Sequence, residues 1–243
     1  MKKFLVIAMA VMLILTMLGG CGASRIESSA VSEVITEPET EEISACDINA
    51  VYDQQIRRYY TAISQKWEES AYFDHEMSAL AAYYYEGNPL DNVGYTFMDL
   101  DADGRGELLI GAILNAENDP LVFEIWTLKN NEPVMLAQSG SHNRYYLQYA
   151  EEDELWSVAY EAENGAANRA VYHLQLQDGE FHVTQGVVFD ALANEASPWF
   201  MAYDLDWDVS NDTPIDEDTA DAVLQAGRNI YAAAEYFPYS LYK

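Results

Sequence analysis

The sequence has little cysteine, little positive charge and no apolar run long enough to span a membrane comfortably. Its 243 residues contain 2 cysteines, and 12 lysines and arginines stand against 41 aspartates and glutamates. The formal net charge of −29 argues against nucleic-acid binding, because phosphate contacts require clusters of basic side chains. Glycine-rich phosphate loops, zinc-protease helices and nucleophile elbows are also absent from the sequence. We therefore expect a protein that is not an enzyme.

The N-terminus pairs a short apolar run with a cysteine. Lys2 and Lys3 precede the apolar stretch 4–18, and Leu18-Gly19-Gly20-Cys21 follows it. This segment resembles the lipobox of bacterial lipoproteins, which implies cleavage before Cys21 and acylation of that cysteine, with diacylglycerol on its sulfur. An ordinary secretory signal or an uncleaved signal anchor are the alternatives. If Cys21 carries lipid, the other cysteine, Cys46, has no partner for an intramolecular disulfide.

Composition divides the chain into three segments. Residues 1–20 form the expected signal peptide, and residues 21–43 form a lipid-anchored acidic linker whose few apolar side chains predict disorder. Residues 44–243 form a single predicted domain. The lipobox resemblance implies attachment to the cell membrane at its extracellular face, and a chain this acidic would be repelled by an anionic membrane without a covalent anchor.

One acidic stretch, residues 95–111, carries the strongest functional signal. Asp99, Asp101 and Asp103 alternate, Gly104 follows, and Glu107 comes three residues later. Ca²⁺ takes several oxygen ligands, and a short loop can supply them from alternate residues. A glycine permits the sharp turn that such a loop needs. An exposed acidic turn is the alternative, although it requires neither the strict alternation nor a glycine in that position.

The loop differs from an EF-hand, because Ile110 stands where that motif places a bidentate glutamate. It resembles the shorter calcium loops of FG-GAP-type repeats and of bacterial surface lipoproteins, in which the pattern D-x-D-x-D-G-x-x-[DE]-L leads into a strand. The resemblance implies no reaction. It implies a Ca²⁺ ion bound by the side chains of Asp99, Asp101, Asp103 and Glu107 and by the backbone carbonyl of Arg105.

The periodicity of apolar residues predicts an α+β fold. A period near 3.6 predicts helices over 46–67, 74–86 and 216–236. From Tyr95 onward the period changes to 2, and short polar links predict an antiparallel β-meander of about seven strands between the second and third helices. These strands are expected at 107–114, 121–128, 133–138, 143–150, 155–161, 169–177 and 180–188.

Two further features leave alternatives open. A type I′ turn at Asp178-Gly179 would place His173 and His182 diagonally on one polar face, with Glu180 nearby. The two histidines could bind a transition metal or act as acid and base, and a solvated polar face is the alternative. Residues 199–212 alternate apolar and polar, and Asp204 to Asp212 repeat the ligand spacing of the first loop. Val209 replaces the glycine there, which favours a solvated acidic edge, but the sequence leaves a second cation site open.

These observations predict a lipid-anchored extracellular protein with a structural Ca²⁺ loop. We expect it to act as a binding module for a protein or glycan partner and not for nucleic acid. The alternative is a cell-surface hydrolase that uses acidic residues with His173 or His182.

Overall fold

The computed structural model describes residues 45–114, 120–152 and 154–243. The predicted signal peptide, the lipobox with Cys21 and the acidic linker lie outside the described residues. Within those three ranges, no helix is long and apolar enough to cross a membrane.

The first predicted helix is present as two consecutive segments. Helix α1 (Ala45–Val51) and helix α2 (Asp53–Ser64) are separated only by Tyr52. Ile56, Tyr59 and Ile63 are buried along α2. Their spacing of three and four residues places them on one helix face, as the sequence predicts.

The prediction of one continuous helix over 74–86 is wrong. The chain forms helix α3 (Glu69–Asp74), a 3₁₀ helix (Ala79–Tyr84) and helix α4 (Pro89–Asn92) instead. Ser78 between them is extended, and its N–H donates to the Tyr59 hydroxyl and to Glu124 Oε1, each at 3.1 Å. A tertiary contact therefore takes the backbone donor that an α-helix would have used.

The described residues contain an antiparallel sheet of 11 strands, so the prediction of about seven is too low. Strands β2 to β8 lie within two residues of the seven predicted bounds, whereas β1, β9, β10 and β11 are additional. The fold is α+β, as expected. The strands are β1 (Val93–Met98), β2 (Glu107–Ala112), β3 (Leu121–Lys129), β4 (Glu132–Gln138), β5 (Asn143–Ala150), β6 (Leu155–Glu163), β7 (Asn168–Gln177), β8 (Glu180–Asp190), β9 (Trp199–Ala202), β10 (Thr213–Ile215) and β11 (Phe237–Pro238).

The strand order is β10-β9-β8-β7-β6-β5-β3-β2-β1-β11. Sequence neighbours are therefore sheet neighbours almost throughout, which is the arrangement of a meander. There are two exceptions. Strand β3 pairs with β5 near its start and with β4 along the rest of its length, and β11 pairs with β1 instead of β10. The hairpin β7–β8 has the predicted turn, because Asp178 and Gly179 both have positive φ and Leu176 lies opposite Phe181.

Buried side chains occupy both faces of the sheet. One cluster joins α2 and the 3₁₀ helix to β1, β2 and β3, and includes Tyr59, Leu108 and Phe123. A second cluster extends along the other face from Leu109 of β2 to Phe200 of β9. Helix α5 (Glu217–Asn229) covers a third, smaller cluster on β8 and β9. Apolar residues that alternate along β2 therefore enter two different cores.

The C-terminal segment packs against a pair of glycines. Gly94 of β1 lies directly opposite Gly111 of β2, and a methyl group on Gly111 would overlap the Tyr236 hydroxyl. Strand β11 then pairs with β1, and Tyr239 is fully buried beyond it. Because neither glycine has a side chain, there is space at this position for the aromatic C-terminus to dock.

Candidate functional site

The acidic loop connects β1 to β2. Met98 and Glu107 form the last pair of this hairpin, so residues 99–106 make up the connection. Ala102 and Gly104 both have left-handed backbone conformations, with φ of 60° and 85°. Gly104 therefore supplies the turn that the sequence predicts, and the loop folds back tightly enough to bring its acidic side chains together.

Three of the predicted carboxylates converge in this loop. Asp99, Asp101 and Glu107 each place one carboxylate oxygen so that the three atoms lie within 4.8 Å of one another. In the three described ranges, this is the one group of three or more Asp, Glu, His or Cys side chains with that spacing. Asp103, the fourth predicted carboxylate, is exposed and lies outside the group.

Backbone N–H groups hold the loop in this shape. The two carboxylate oxygens of Asp99 accept hydrogen bonds from Asp103 N at 3.1 Å and Gly104 N at 3.0 Å. Asp103 Oδ1 accepts from Arg105 N at 2.7 Å, which directs this carboxylate toward its own backbone. The ligand role of the Arg105 carbonyl stays a prediction from the resemblance.

Glu107 is the buried member of the group, with 2% of its surface exposed. Its carboxylate accepts hydrogen bonds from Leu100 N at 2.9 Å and from the Thr127 hydroxyl at 3.1 Å. Burial is the main cause that raises its pKa to about 7, and the negative charges of Asp101 and Asp103 add to the effect. Burial likewise raises the pKa of Asp101. The site therefore disfavours negative charge unless a cation is present.

Comparison with known proteins gives no relative for this chain. No protein-family model matches it, and no curated protein or solved structure matches it. The residues themselves and their geometry are therefore the basis for a functional assignment.

The two histidines of the alternative hypothesis lie on one face but in different environments. His173 lies opposite Gln185 and Gln175 lies opposite His182, so the two histidines occupy the predicted diagonal positions. His173 Nδ1 lies 3.1 Å from Gln148 Oε1, and burial lowers the pKa of His173. His182 is exposed.

Helix α5 crosses directly over His173. A methyl group on Gly227 would overlap the imidazole ring, and Gln148 Nε2 donates to the Gly227 carbonyl at 2.8 Å. The glycine therefore allows the helix to approach the sheet. These contacts give His173 a packing role, and no observation on the hairpin favours the hydrolase hypothesis.

The second acidic segment is not an extended strand over its full length. Strand β9 ends at Ala202, and bends lead to a 3₁₀ helix at Val209–Asn211. Asp206 Oδ1 accepts from Asp208 N at 2.8 Å, and Asp208 Oδ1 accepts from Ser210 N at 3.0 Å. The predicted acidic edge is therefore a series of turns beyond Ala202 and not a strand. The carboxylates of this segment do not belong to the converging group described above.

Sequence reasoning missed one buried carboxylate, Glu124 of β3. It is 1% exposed and accepts hydrogen bonds from Ser78 N, Gln138 Nε2 and Trp126 Nε1 at 2.9–3.1 Å. Burial raises its pKa, although these donors and the Tyr59 hydroxyl act in the opposite direction. A glutamate within an otherwise apolar strand was the available signal. Its donors connect β3 to the helical layer, which indicates a structural role.

Proposed function

We propose that this protein is a lipid-anchored extracellular binding module whose β1–β2 loop binds one Ca²⁺ ion. The convergence of Asp99, Asp101 and Glu107 is the observation that carries the metal assignment. Asp103 and the Arg105 carbonyl complete the ligand set that the sequence pattern implies. The ion would fasten the end of the β1–β2 hairpin, and its role would be structural.

The charge balance around the loop supports a cation. Within the described ranges, no lysine or arginine lies within 4.0 Å of the carboxylates of Asp99, Asp101 or Glu107. Lys129 lines a depression with Asp101 and Asp103, but its ammonium group pairs with Glu180 at 2.9 Å. Three mutually repelling carboxylates, one of them buried, are stabilised when a divalent ion enters between them.

The donor set favours a hard cation. All of the proposed ligands are oxygen atoms, which suit Ca²⁺ and Mg²⁺ better than transition metals. Mg²⁺ requires nearly ideal octahedral geometry at short distances, whereas Ca²⁺ accepts irregular and larger coordination. An irregular hairpin loop with side chains of unequal burial therefore fits Ca²⁺ better.

A thermal melt of the full chain in Ca²⁺ and in EDTA tests this assignment. At a free Ca²⁺ concentration about ten times Kd, binding to the folded state alone adds about 1.4 kcal/mol to the free energy of unfolding. We expect this stabilisation to disappear in Asp101→Asn. Asp218→Asn, which removes an exposed acid from α5, is the matched control and should retain it. Identical wild-type melts in both buffers, after metal removal has been verified, would refute Ca²⁺ binding.

The membrane part of the proposal depends on Cys21. Its lipid would hold the domain at the outer surface, with the acidic linker as a spacer, and leave the folded domain free to meet a protein or glycan partner. We expect the protein to enter the detergent phase in Triton X-114 partition and to incorporate an alkyne-labelled fatty acid. Cys21→Ala should remove both properties, whereas Cys46→Ala should not. Unchanged labelling of the Cys21→Ala variant would refute the anchor.

A further inference from the structure

A small depression beside helix α5 collects positive charge in a strongly acidic protein. Its volume is about 280 Å³, and it lies on the sheet face that carries α5. Arg144 of β5, Arg169 of β7 and Arg228 of α5 line it together with Glu161 and Glu163 of β6. These three arginines are a third of the nine lysines and arginines in the described residues.

Strand register brings these residues together. Glu163 lies opposite Arg169 in one row across the sheet. Glu161 lies opposite Arg144 in the neighbouring row. Positions in adjacent rows on one face are close enough for long side chains to meet. Arg228 joins them from above because the C-terminal part of α5 lies over β6.

Arg144 and Arg169 are held without a carboxylate partner. Arg144 Nη1 donates to the backbone carbonyls of Gly140 and Asn143, and no described carboxylate lies within 4.0 Å of it. The Arg169 guanidinium lies 5.0 Å from the ring centres of both Phe189 and Trp199, likewise without an acidic partner among the described residues. Neutral carbonyl and aromatic contacts thus fix both guanidinium groups, and neither has a carboxylate within ion-pair distance among the described residues.

The two glutamates of the depression are engaged unequally. Glu161 Oε1 accepts from the Tyr231 hydroxyl at 2.8 Å and lies 3.7 Å from Arg228 Nη2. Glu163 is largely exposed, and its Oε1 lies 3.9 Å from His142 Nδ1. Three arginines and two glutamates give the lining a formal charge of +1 (3 − 2), against −29 for the whole chain.

We propose that this depression binds the carboxylate of a small hydroxylated acid, such as a sugar acid. Guanidinium groups bind carboxylates through paired hydrogen bonds, and Arg144 and Arg169 are the two groups available for that contact. A lining charge of +1 balances one carboxylate, whereas a phosphate dianion would remain partly uncompensated. Glu163, the exposed acid of the lining, is placed to accept hydrogen bonds from ligand hydroxyls. The volume admits only a small ligand.

This inference rests on the proposed binding function and assigns it a class of ligand. The depression shares no residue with the Ca²⁺ loop. Failure of one assignment therefore leaves the other unaffected. Measuring sugar-acid binding in both Ca²⁺ and EDTA keeps the two outcomes separate.

Isothermal titration of the full chain in nonionic detergent at low salt tests the proposal. The probes are galacturonate, galactose, acetate and inorganic phosphate. Galacturonate and galactose differ only in the carboxylate, and acetate lacks the hydroxyls. We expect galacturonate to bind at millimolar or lower concentration, at least ten times more tightly than any other probe.

The Arg144→Gln variant should weaken galacturonate binding at least tenfold, and Arg169→Lys should weaken it as well because an ammonium group loses the planar paired contact. Lys66→Gln, on an exposed site outside the depression, is the matched control and should bind as the wild type does. A urea melt of each variant confirms that it is folded. Equal binding of galactose and galacturonate, tighter binding of phosphate, no binding of galacturonate, or unchanged binding in folded Arg144→Gln would overturn the assignment.

Discussion

Replacing Glu107 with glutamine separates the energetic cost of its buried charge from its value as a metal ligand. The side-chain oxygen of glutamine can still accept from Leu100 N, and its amide can donate to the Thr127 hydroxyl, which is free to rotate. Glutamine therefore imitates protonated Glu107 in shape and hydrogen bonding. It differs from the ionised form in carrying no charge.

The magnitude follows from the raised pKa of Glu107. An unfolded glutamate loses its proton near pH 4.5, whereas folded Glu107 keeps it up to a pKa of about 7. Between these values the unfolded state binds fewer protons than the folded state, so the free energy of unfolding falls as pH rises. At 1.36 kcal/mol for each pKa unit, the full loss above pH 7 is about 3 kcal/mol.

Urea unfolding at pH 5 and pH 8, in EDTA and in Ca²⁺, measures this effect. In EDTA we expect Glu107→Gln to exceed the free energy of unfolding of the wild type by less than about 1 kcal/mol at pH 5 and by up to about 3 kcal/mol at pH 8. Added Ca²⁺ should stabilise only the wild type at pH 8, because the ion requires an ionised carboxylate.

Comparison with the wild type is essential, because burial also raises the pKa of Glu124 and of Asp212. These acids contribute their own pH dependence, which is common to both proteins and cancels in the difference. A difference that stays constant between pH 5 and pH 8 would refute the buried-charge argument. Equal Ca²⁺ stabilisation of both proteins would refute the ligand role of Glu107.

Three further predictions concern contacts that stabilise the fold outside the Ca²⁺ loop. Gly227→Ala should lower the free energy of unfolding by about 1–3 kcal/mol, because the added methyl overlaps His173 and this outweighs the higher helix propensity of alanine. Adding His173→Ala should recover part of that loss in urea melts, and no recovery would contradict the contact. Glu124→Leu should cost about 3 kcal/mol or more and shift Trp126 fluorescence, since several buried donors lose their acceptor; wild-type stability would contradict a structural role. Asp216→Ala should cost about 1 kcal/mol by removing the N-cap of α5, measured by urea unfolding, and Asp216→Asn should cost less.

Local patterns were sufficient to predict the seven central strands and the Asp178-Gly179 turn. Strand alternation and the φ preferences of turn residues depend on a few neighbouring positions, and both are therefore visible in a sequence. The same holds for the acidic loop. The position of Gly104 and the alternation of Asp99, Asp101 and Asp103 predicted a tight turn, and the structure has one between β1 and β2.

Elements that depend on distant partners were not predictable in this way. Strand β11 consists of two residues and pairs with β1, which lies more than a hundred residues earlier in the chain. The predicted helix 74–86 is interrupted because Ser78 N donates to Glu124 of β3. Neither contact can be predicted from local propensity, because each forms only when separate parts of the chain pack together.

At the candidate site, too, some features follow from the local sequence and others from tertiary packing. The sequence by itself determined that four carboxylates and a turn-forming glycine share one short loop. Only the tertiary structure decided that Glu107 is buried beside Thr127 and that Asp103 stays outside the converging group. The physical reason is that ligand type and spacing are local properties. Burial, pKa and the direction of a side chain depend instead on the strands that pack around the loop.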